Sequence, residues 1–392
     1  MARKAKSPTK SAAKAAAKAE AAASEPVRPG SSLAVTPLAE ILVQERALAT
    51  LSAAANADRL HHAWIFAGPA GVGKFTTAVG FGAALLDPTS KPDAKGLLTP
   101  EPDSEIQTLV RSGGHPDLHI VRKELASFSR DSKIRQSKQT VIALEVMREF
   151  FIEPAARTRR VNVPSRVAKV LILDEAHLLN LEGQNALLKT LEEPPAGTLM
   201  ILVTANEERL LPTVRSRCQR VPFVPLNAEA MAAWLARDGS MPALPAWLAH
   251  YGAGSPGTVA WALEMNLAEW AEPMDTAIED ICRGRFRPEL GSLMADLVKA
   301  WTERLASQHD QASKDVAGKS AAGEVLRLAA SMVHRRLEGR AKNASAAENL
   351  VACLERIGDA ERHVATNVSP QFVMDSLVAD WTQMHASLTP AR

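Results

Sequence analysis

The chain has 392 residues, enough for two or three domains, and 46% are apolar, so a sizeable core is available and wholesale disorder is excluded. Net charge is +2 but uneven: residues 1–30 carry seven Lys or Arg against Glu20 and Glu25, which leaves the remainder at about −3 and argues against a globally basic nucleic-acid binder. The three cysteines (Cys218, Cys282, Cys353) form no CxxC pair and argue against a disulfide framework; no apolar run reaches membrane-spanning length, and the N-terminus lacks the apolar stretch of a secretory signal.

In chain order, residues 1–32 are Ala/Lys-rich, end in Pro and Gly, and are expected to be a mobile, solvated tail; phosphate contact or resemblance to a targeting peptide are the other readings. From Leu38, "LAEILVQERALATLSAAANA" has helical apolar spacing, and "HHAWIFAG" reads as a short buried strand. A glycine-rich loop and a helix over Thr76–Leu86 follow. Residues 87–117 look like a long surface excursion, and "DLHIV" is a second strand. A basic stretch (Arg130, Lys133, Arg135, Lys138) leads into a predicted helix, "TVIALEVMREFF". "AKVLILDEA", "TLMILVTANEE" and "RVPFVPL" are three further strands; between the first two, "LEGQNALLKTLEEPP" is a helix that Pro194–Pro195 ends. Strands alternating with helices, in continuous apolar runs, predict a parallel α/β sheet with both faces covered. After Pro225 only helical patterns remain. Trp234, Trp247, Trp261 and Trp270 read as core rather than functional aromatics.

"GPAGVGKF" (Gly68–Phe75) is a phosphate-binding loop up to its last position. Gly68, Gly71 and Gly73 permit the tight turn, backbone N–H groups and a helix N-terminus point at the anion, and Lys74 supplies a cation. The next residue should hold Mg²⁺ through a hydroxyl; Phe75 has none, and Thr76 is turned about 100° away. One hundred residues after Lys74, "VLILDEAH" places Asp174 and Glu175 at a strand end, as a metal-binding aspartate and a water-orienting glutamate would be placed. The four letters DEAH, completed by His177, carry no helicase assignment by themselves.

The segments "HHAWIFAGPAGVGK", "GGHPDLHIV", "VLILDEAHLLN", "LLKTLEEPP" and "SRC", in this order over residues 35–225, resemble the bacterial clamp-loader branch of the AAA+ ATPases, and most of all its delta-prime type. The resemblance implies a RecA-like AAA+ P-loop domain over 33–222, a helical lid over 223–270 and an all-helical collar, for oligomerisation, over 271–392. It implies that Arg217 of "SRC" is an arginine finger reaching ATP held by a neighbouring subunit, a task suited to a permanently charged, planar donor. Asn206 matches the position that senses the γ-phosphate in active relatives; a strand-end cap is the other reading. Cys218 reads as packing. The implied partners are gamma/tau-type and delta-type subunits, the sliding clamp indirectly, and primed DNA through the complex; the implied location is the bacterial cytoplasm, with no membrane contact.

Three departures bear on the subtype. Phe75 removes the metal hydroxyl, and Gly257 stands where active relatives carry a second phosphate-sensing arginine; both imply a subunit that does not hydrolyse ATP. Many relatives have a four-cysteine zinc module before "HPDLH", whereas residues 87–114 contain no cysteine. No zinc is expected, since His115 and His119 alone make a poor site. ATP/Mg is expected to bind weakly if at all. DNA contact is placed at Lys138, Arg148 or the run Arg157, Arg159, Arg160. The alternative is a catalytically active gamma/tau-type ATPase, since Gly68–Lys74, Asp174 and Glu175 are all present.

Overall fold

The computed structural model describes residues 32–57, 59–137, 140–238, 244–283, 285, 287–308, 314–340, 344–366 and 368–386. The basic tail up to residue 31 and Lys138 lie outside the described residues. Two compact units divide the chain: one holds the described residues of Glu25–Asp238 with Gly254–Gly257, the other those of Gly239–Ala253 and Thr258–Arg392. The segment 223–270, expected as a lid, is therefore shared between them.

In the first unit, Ala63–Ala67 (β1), Leu118–Val121 (β2), Lys169–Leu173 (β3), Thr198–Thr204 (β4) and Gln219–Pro222 (β5) form one sheet in the order β2-β3-β4-β1-β5. Every pairing is parallel. Alternate residues serve opposite faces. Trp64, Phe66, Val170, Ile172, Leu199, Ile201, Val203 and Val221 join one buried cluster, and Ala63, Ile65, Ala67, Leu171, Leu173, Met200 and Leu202 join the other. With both faces covered, the three inner strands β3, β4 and β1 have no wet side, hence their continuous apolar runs. Each such Leu, Ile or Phe contributes roughly 1.5–3 kcal/mol of burial.

The helices of this unit bury matching faces. Glu45–Ala55 (α1) buries Ala47, Leu51 and Ala55 at i, i+4 spacing. Lys74–Leu86 (α2) is buried almost all round, and starts two residues before its predicted first residue because Gly73 caps it. The excursion at 87–117 is not bare loop. It contains a short hairpin (Lys91–Pro92 with Leu98–Thr99) and the helix Glu105–Arg111 (α3). Buried Asp87 organises it, accepting hydrogen bonds from Thr89, Ser104 and Gln107, while Ser104 caps α3. The helix predicted over "TVIALEVMREFF" begins late, because Ile142 instead bridges to Leu179. It then runs from Leu144–Met147 through a π turn at Arg148–Ile152 into Glu153–Ala156. Leu181–Glu192 (α4) is capped by Asn180, whose Oδ1 accepts from Gly183 N at 2.8 Å. Ala228–Asp238 (α5) follows β5.

The second unit is helical. Ala246–Gly252 (α6), Pro256–Glu264 (α7), Ala268–Cys282 (α8), Glu289–Gln308 (α9), Lys314–Arg340 (α10), Ala344–Ala365 (α11) and Pro370–Ala386 (α12) follow in order, the start of α7 being counted with the first unit. Leu326, Met332, Leu350, Met374 and Trp381 are among its buried residues. Of the four tryptophans expected as core, Trp247 is buried; Trp234, Trp261 and Trp270 are half-buried, with Trp261 packed edge-on against Trp301. Among the described residues no helix is long and apolar enough to cross a membrane.

Candidate functional site

The loop after β1 opens at the C-terminal edge of the sheet, where open α/β folds place their ligand crevices. Gly68, Gly71 and Gly73 all have positive φ (153°, 71° and 94°). Gly68 is further required by crowding, since a Cβ there would lie 2.3 Å from the Phe223 carbonyl oxygen. Lys74 is buried, and its Nζ donates to the carbonyls of Gly68 (2.8 Å) and Pro69 within its own loop. Burial pushes its pKa down to about 8, against the pull of Asp174, so it is a cation at neutral pH. The threonine that bonds back to the loop is Thr77, through Gly73 O at 2.9 Å, and not Thr76.

Asp174 and Glu175 follow β3 directly, and each is paired with a cation that follows β2. Arg122 Nε donates to Asp174 Oδ2 at 3.1 Å, and Lys123 Nζ to Glu175 Oε2 at 2.8 Å. Phe75 lies under the same guanidinium, with Arg122 Cζ 4.1 Å from its ring centroid. Burial outweighs the pull of Arg122 and leaves the Asp174 carboxyl above its ordinary range. For Lys123 the balance is opposite: burial lowers it, but Glu175 and the other carboxylates outweigh that, and its pKa is raised. Glu175 holds a left-handed backbone (φ 49°), a conformation costly for a non-glycine residue, with its N–H bonded to Asp174 Oδ1 at 3.0 Å. Arg122 and Lys123 were missed in the sequence. The strand register exposes them, because the ladder ends with Val121 opposite Leu173, and the ion pairs just beyond it join Arg122 to Asp174 and Lys123 to Glu175.

Asn206, two residues beyond β4 at the same edge, caps the turn at Glu207–Arg209 by accepting from Glu208 N at 3.1 Å. Gly257 N donates to Gly71 O at 2.9 Å, and Ser255 Oγ to Ala70 O at 2.9 Å, so the "GSPG" segment is bonded onto the phosphate loop. A Cβ on Gly257 would lie 2.8 Å from Gly71 Cα.

Arg217 occupies the other edge of the sheet. It stands two residues before β5, whose first residue pairs with Trp64 of β1. Five residues of strand, about 16 Å, separate that level from the phosphate loop. Its guanidinium donates to Glu192 Oε1 at 2.6 Å, at the end of α4, and to Thr213 O at 2.9 Å, and the side chain is 35% exposed. A cleft of about 550 Å³ beside it is lined by His61, His62, Glu192 and Gln219, among others. Burial raises the Cys218 thiol to about 12, which keeps it neutral and inert.

The basic candidates are dispersed. Arg148 is exposed in the π turn, Arg157 pairs with Glu153 at 3.5 Å, and Arg159 bonds Asn162 Oδ1 at 2.7 Å. Arg160 uses its backbone N–H, on Asp117. His115 is buried, its Nδ1 accepting from Asp117 N at 3.2 Å. Among the described residues no three His, Cys, Asp or Glu side chains are grouped to hold a metal.

His119, on β2, is lowered to about 4, by burial first and then by Lys169. A histidine depressed in the folded state takes up a proton only on unfolding, so its contribution is lost as pH falls from about 6.5 towards 4. Denaturant melts of His119→Gln at pH 7 and pH 4 should show the variant gaining about 2 kcal/mol on wild type over that window, the full shift being discounted for partial exposure.

Over residues 43–227 the sequence matches the family described as DNA polymerase III, delta subunit. Residues 43–227 belong to the clamp-loader family. Relatives of this clamp-loader domain include the DNA polymerase III subunit delta' of Bacillus subtilis, 30% identical over 224 residues, covering 57% of this chain and 59% of that one. The Escherichia coli subunit delta' is 37% identical over 153 residues (38% and 40%), and the Mycobacterium tuberculosis subunit gamma/tau 34% identical over 199 residues (51% and 30%). The matches thus span less than two thirds of these relatives' own length. A gamma subunit-related protein of Thermotoga maritima is similar in structure, with a TM-score of 0.41 and 15% identity, covering 87% of this chain and 99% of that one.

Proposed function

We propose that this chain is a delta-prime-like stator subunit of the DNA polymerase III clamp loader. In this reading it contributes Arg217 to ATP held by a gamma/tau-type neighbour, sits in a hetero-oligomer with gamma/tau-type and delta-type subunits, and helps place the sliding clamp on primed DNA in the bacterial cytoplasm. The observation that carries the reading is the position of Arg217. It lies at the strand edge opposite its own phosphate loop, so a nucleotide it serves is one bound by another subunit. Its own pocket keeps Gly68, Gly71, Gly73 and Lys74 in loop geometry, yet Asp174 and Glu175 are engaged by the chain's own cations, which supports weak or absent ATP/Mg binding. Zinc has no part in this reading. Arg148 is retained as a phosphate-contacting candidate because it is exposed.

The presence of the loop, Asp174 and Glu175, together with the gamma/tau relatives, favours a second reading as an active gamma/tau-type ATPase. Nucleotide turnover by the isolated chain separates the two. The stator reading expects no Mg·ATP turnover above background, and the same result from Lys74→Ala. Micromolar binding with turnover that disappears in Lys74→Ala would establish the ATPase instead.

A further inference from the structure

We infer that Arg122 is a built-in substitute for the divalent metal of a phosphate-loop site, and that this pocket takes no Mg²⁺ even when a hydroxyl is supplied at position 75. In a working site the metal lies between the Ser or Thr after the loop lysine and the aspartate at the neighbouring strand end. Those two positions here are Phe75 and Asp174, and Arg122 touches both: its guanidinium stacks on the ring at 4.1 Å and its Nε bonds the carboxylate at 3.1 Å. Lys123 repeats the arrangement one residue on, holding the Glu175 carboxylate at 2.8 Å.

The residues do not fit a metal. Phe75 offers no oxygen, Asp174 already accepts from a guanidinium, and Lys74, Arg122 and Lys123 confront two carboxylates with three positive charges. A guanidinium suits the substitution because it is permanently charged, directional in its N–H groups and able to lie on an aromatic face. The parallel register builds the arrangement into the sheet. With Val121 opposite Leu173, and Asp174 N bonded to Val121 O at 2.9 Å, the two cations emerge beside the two acids without any loop rearrangement. Phe75 and Arg122 thus act as a pair, and reverting Phe75 alone leaves the metal position filled. This concerns the chain's own pocket, whereas the stator reading rests on Arg217, so either can fail while the other stands.

The test uses the full chain with Mn²⁺ as the metal probe and ADP at fixed concentration, read by the loss of the free-ion EPR signal. Wild type and Phe75→Thr are expected to take up no Mn²⁺ beyond that held by free ADP. Phe75→Thr combined with Arg122→Ala is expected to bind one Mn²⁺ roughly tenfold or more tightly than wild type, the scale on which metal-site partners usually act. Uptake by Phe75→Thr alone that equals the double variant overturns the inference. So does a double variant that is folded, by its circular dichroism and melting transition, and gains nothing. If the double variant does not fold, wild type decides: its Tm with ADP is expected to be the same in millimolar Mg²⁺ and in EDTA. A rise of several degrees in Mg²⁺, as linkage gives to a site that binds the metal, overturns it.

Discussion

Arg217→Ala in a reconstituted loader is expected to lower ATP hydrolysis at the site it serves by about 10³-fold or more, the scale of a lost arginine finger. The chain itself should stay folded. Arg217 is 35% exposed and its ion pair is with Glu192, a half-exposed carboxylate, so the stability at stake is within about 1 kcal/mol. To act as proposed, Arg217 would also have to leave Glu192 and the Thr213 carbonyl to reach a phosphate. Those contacts hold the guanidinium at the rim in the free subunit without burying it. Arg217→Lys keeps the charge but loses the planar fork, and is expected to recover only part of the rate. Steady-state hydrolysis per loader, with nucleotide affinity measured separately, distinguishes lost catalysis from lost assembly. Unchanged hydrolysis in an intact assembly would remove Arg217 from the mechanism.

The parts legible in the sequence were those with a period or a fixed spacing. Five apolar runs gave five strands, and the Gly68–Lys74 loop and the Asp174–Glu175 strand end lie at one edge of the sheet, as their spacing implied. What escaped depended on which strands are neighbours. Arg122 and Lys123 are two unremarkable basic residues after "HIV" until β2 is placed beside β3 in register. Glu192 looked like a helix end within "LEEPP" and acquires its meaning from a residue 25 positions later in the chain. The excursion at 87–117 escaped for another reason. Its order comes from one buried carboxylate, Asp87, collecting hydrogen bonds from Thr89, Ser104 and Gln107, and such a hub leaves no periodic trace. Phe75 was read as a missing oxygen; the guanidinium stacked on it makes the position an occupied one.

Gly257 carries the second large effect. Restoring an arginine there, in imitation of an active relative, is expected to destabilise the fold by about 3 kcal/mol and to add no ATP affinity. The reason is the approach of two backbones. Gly257 N donates to Gly71 O at 2.9 Å, which satisfies one of the free N–H groups at the start of a helix, and Ser255 Oγ bonds Ala70 O at 2.9 Å. With the segment held on both sides, a Cβ at 257 meets Gly71 Cα at 2.8 Å and Gly71 O at 3.2 Å. Neither contact is with a flexible side-chain end, so relief requires the phosphate loop itself to move. Gly257→Ala isolates this term and should show most of the loss in denaturant melts, with the rest of the arginine adding bulk but little further strain. An arginine variant as stable as wild type would mean that the segment lifts freely from the loop. The glycine would then be an erased sensor and nothing more, whereas the contact distances make it a condition for closing this segment over the loop.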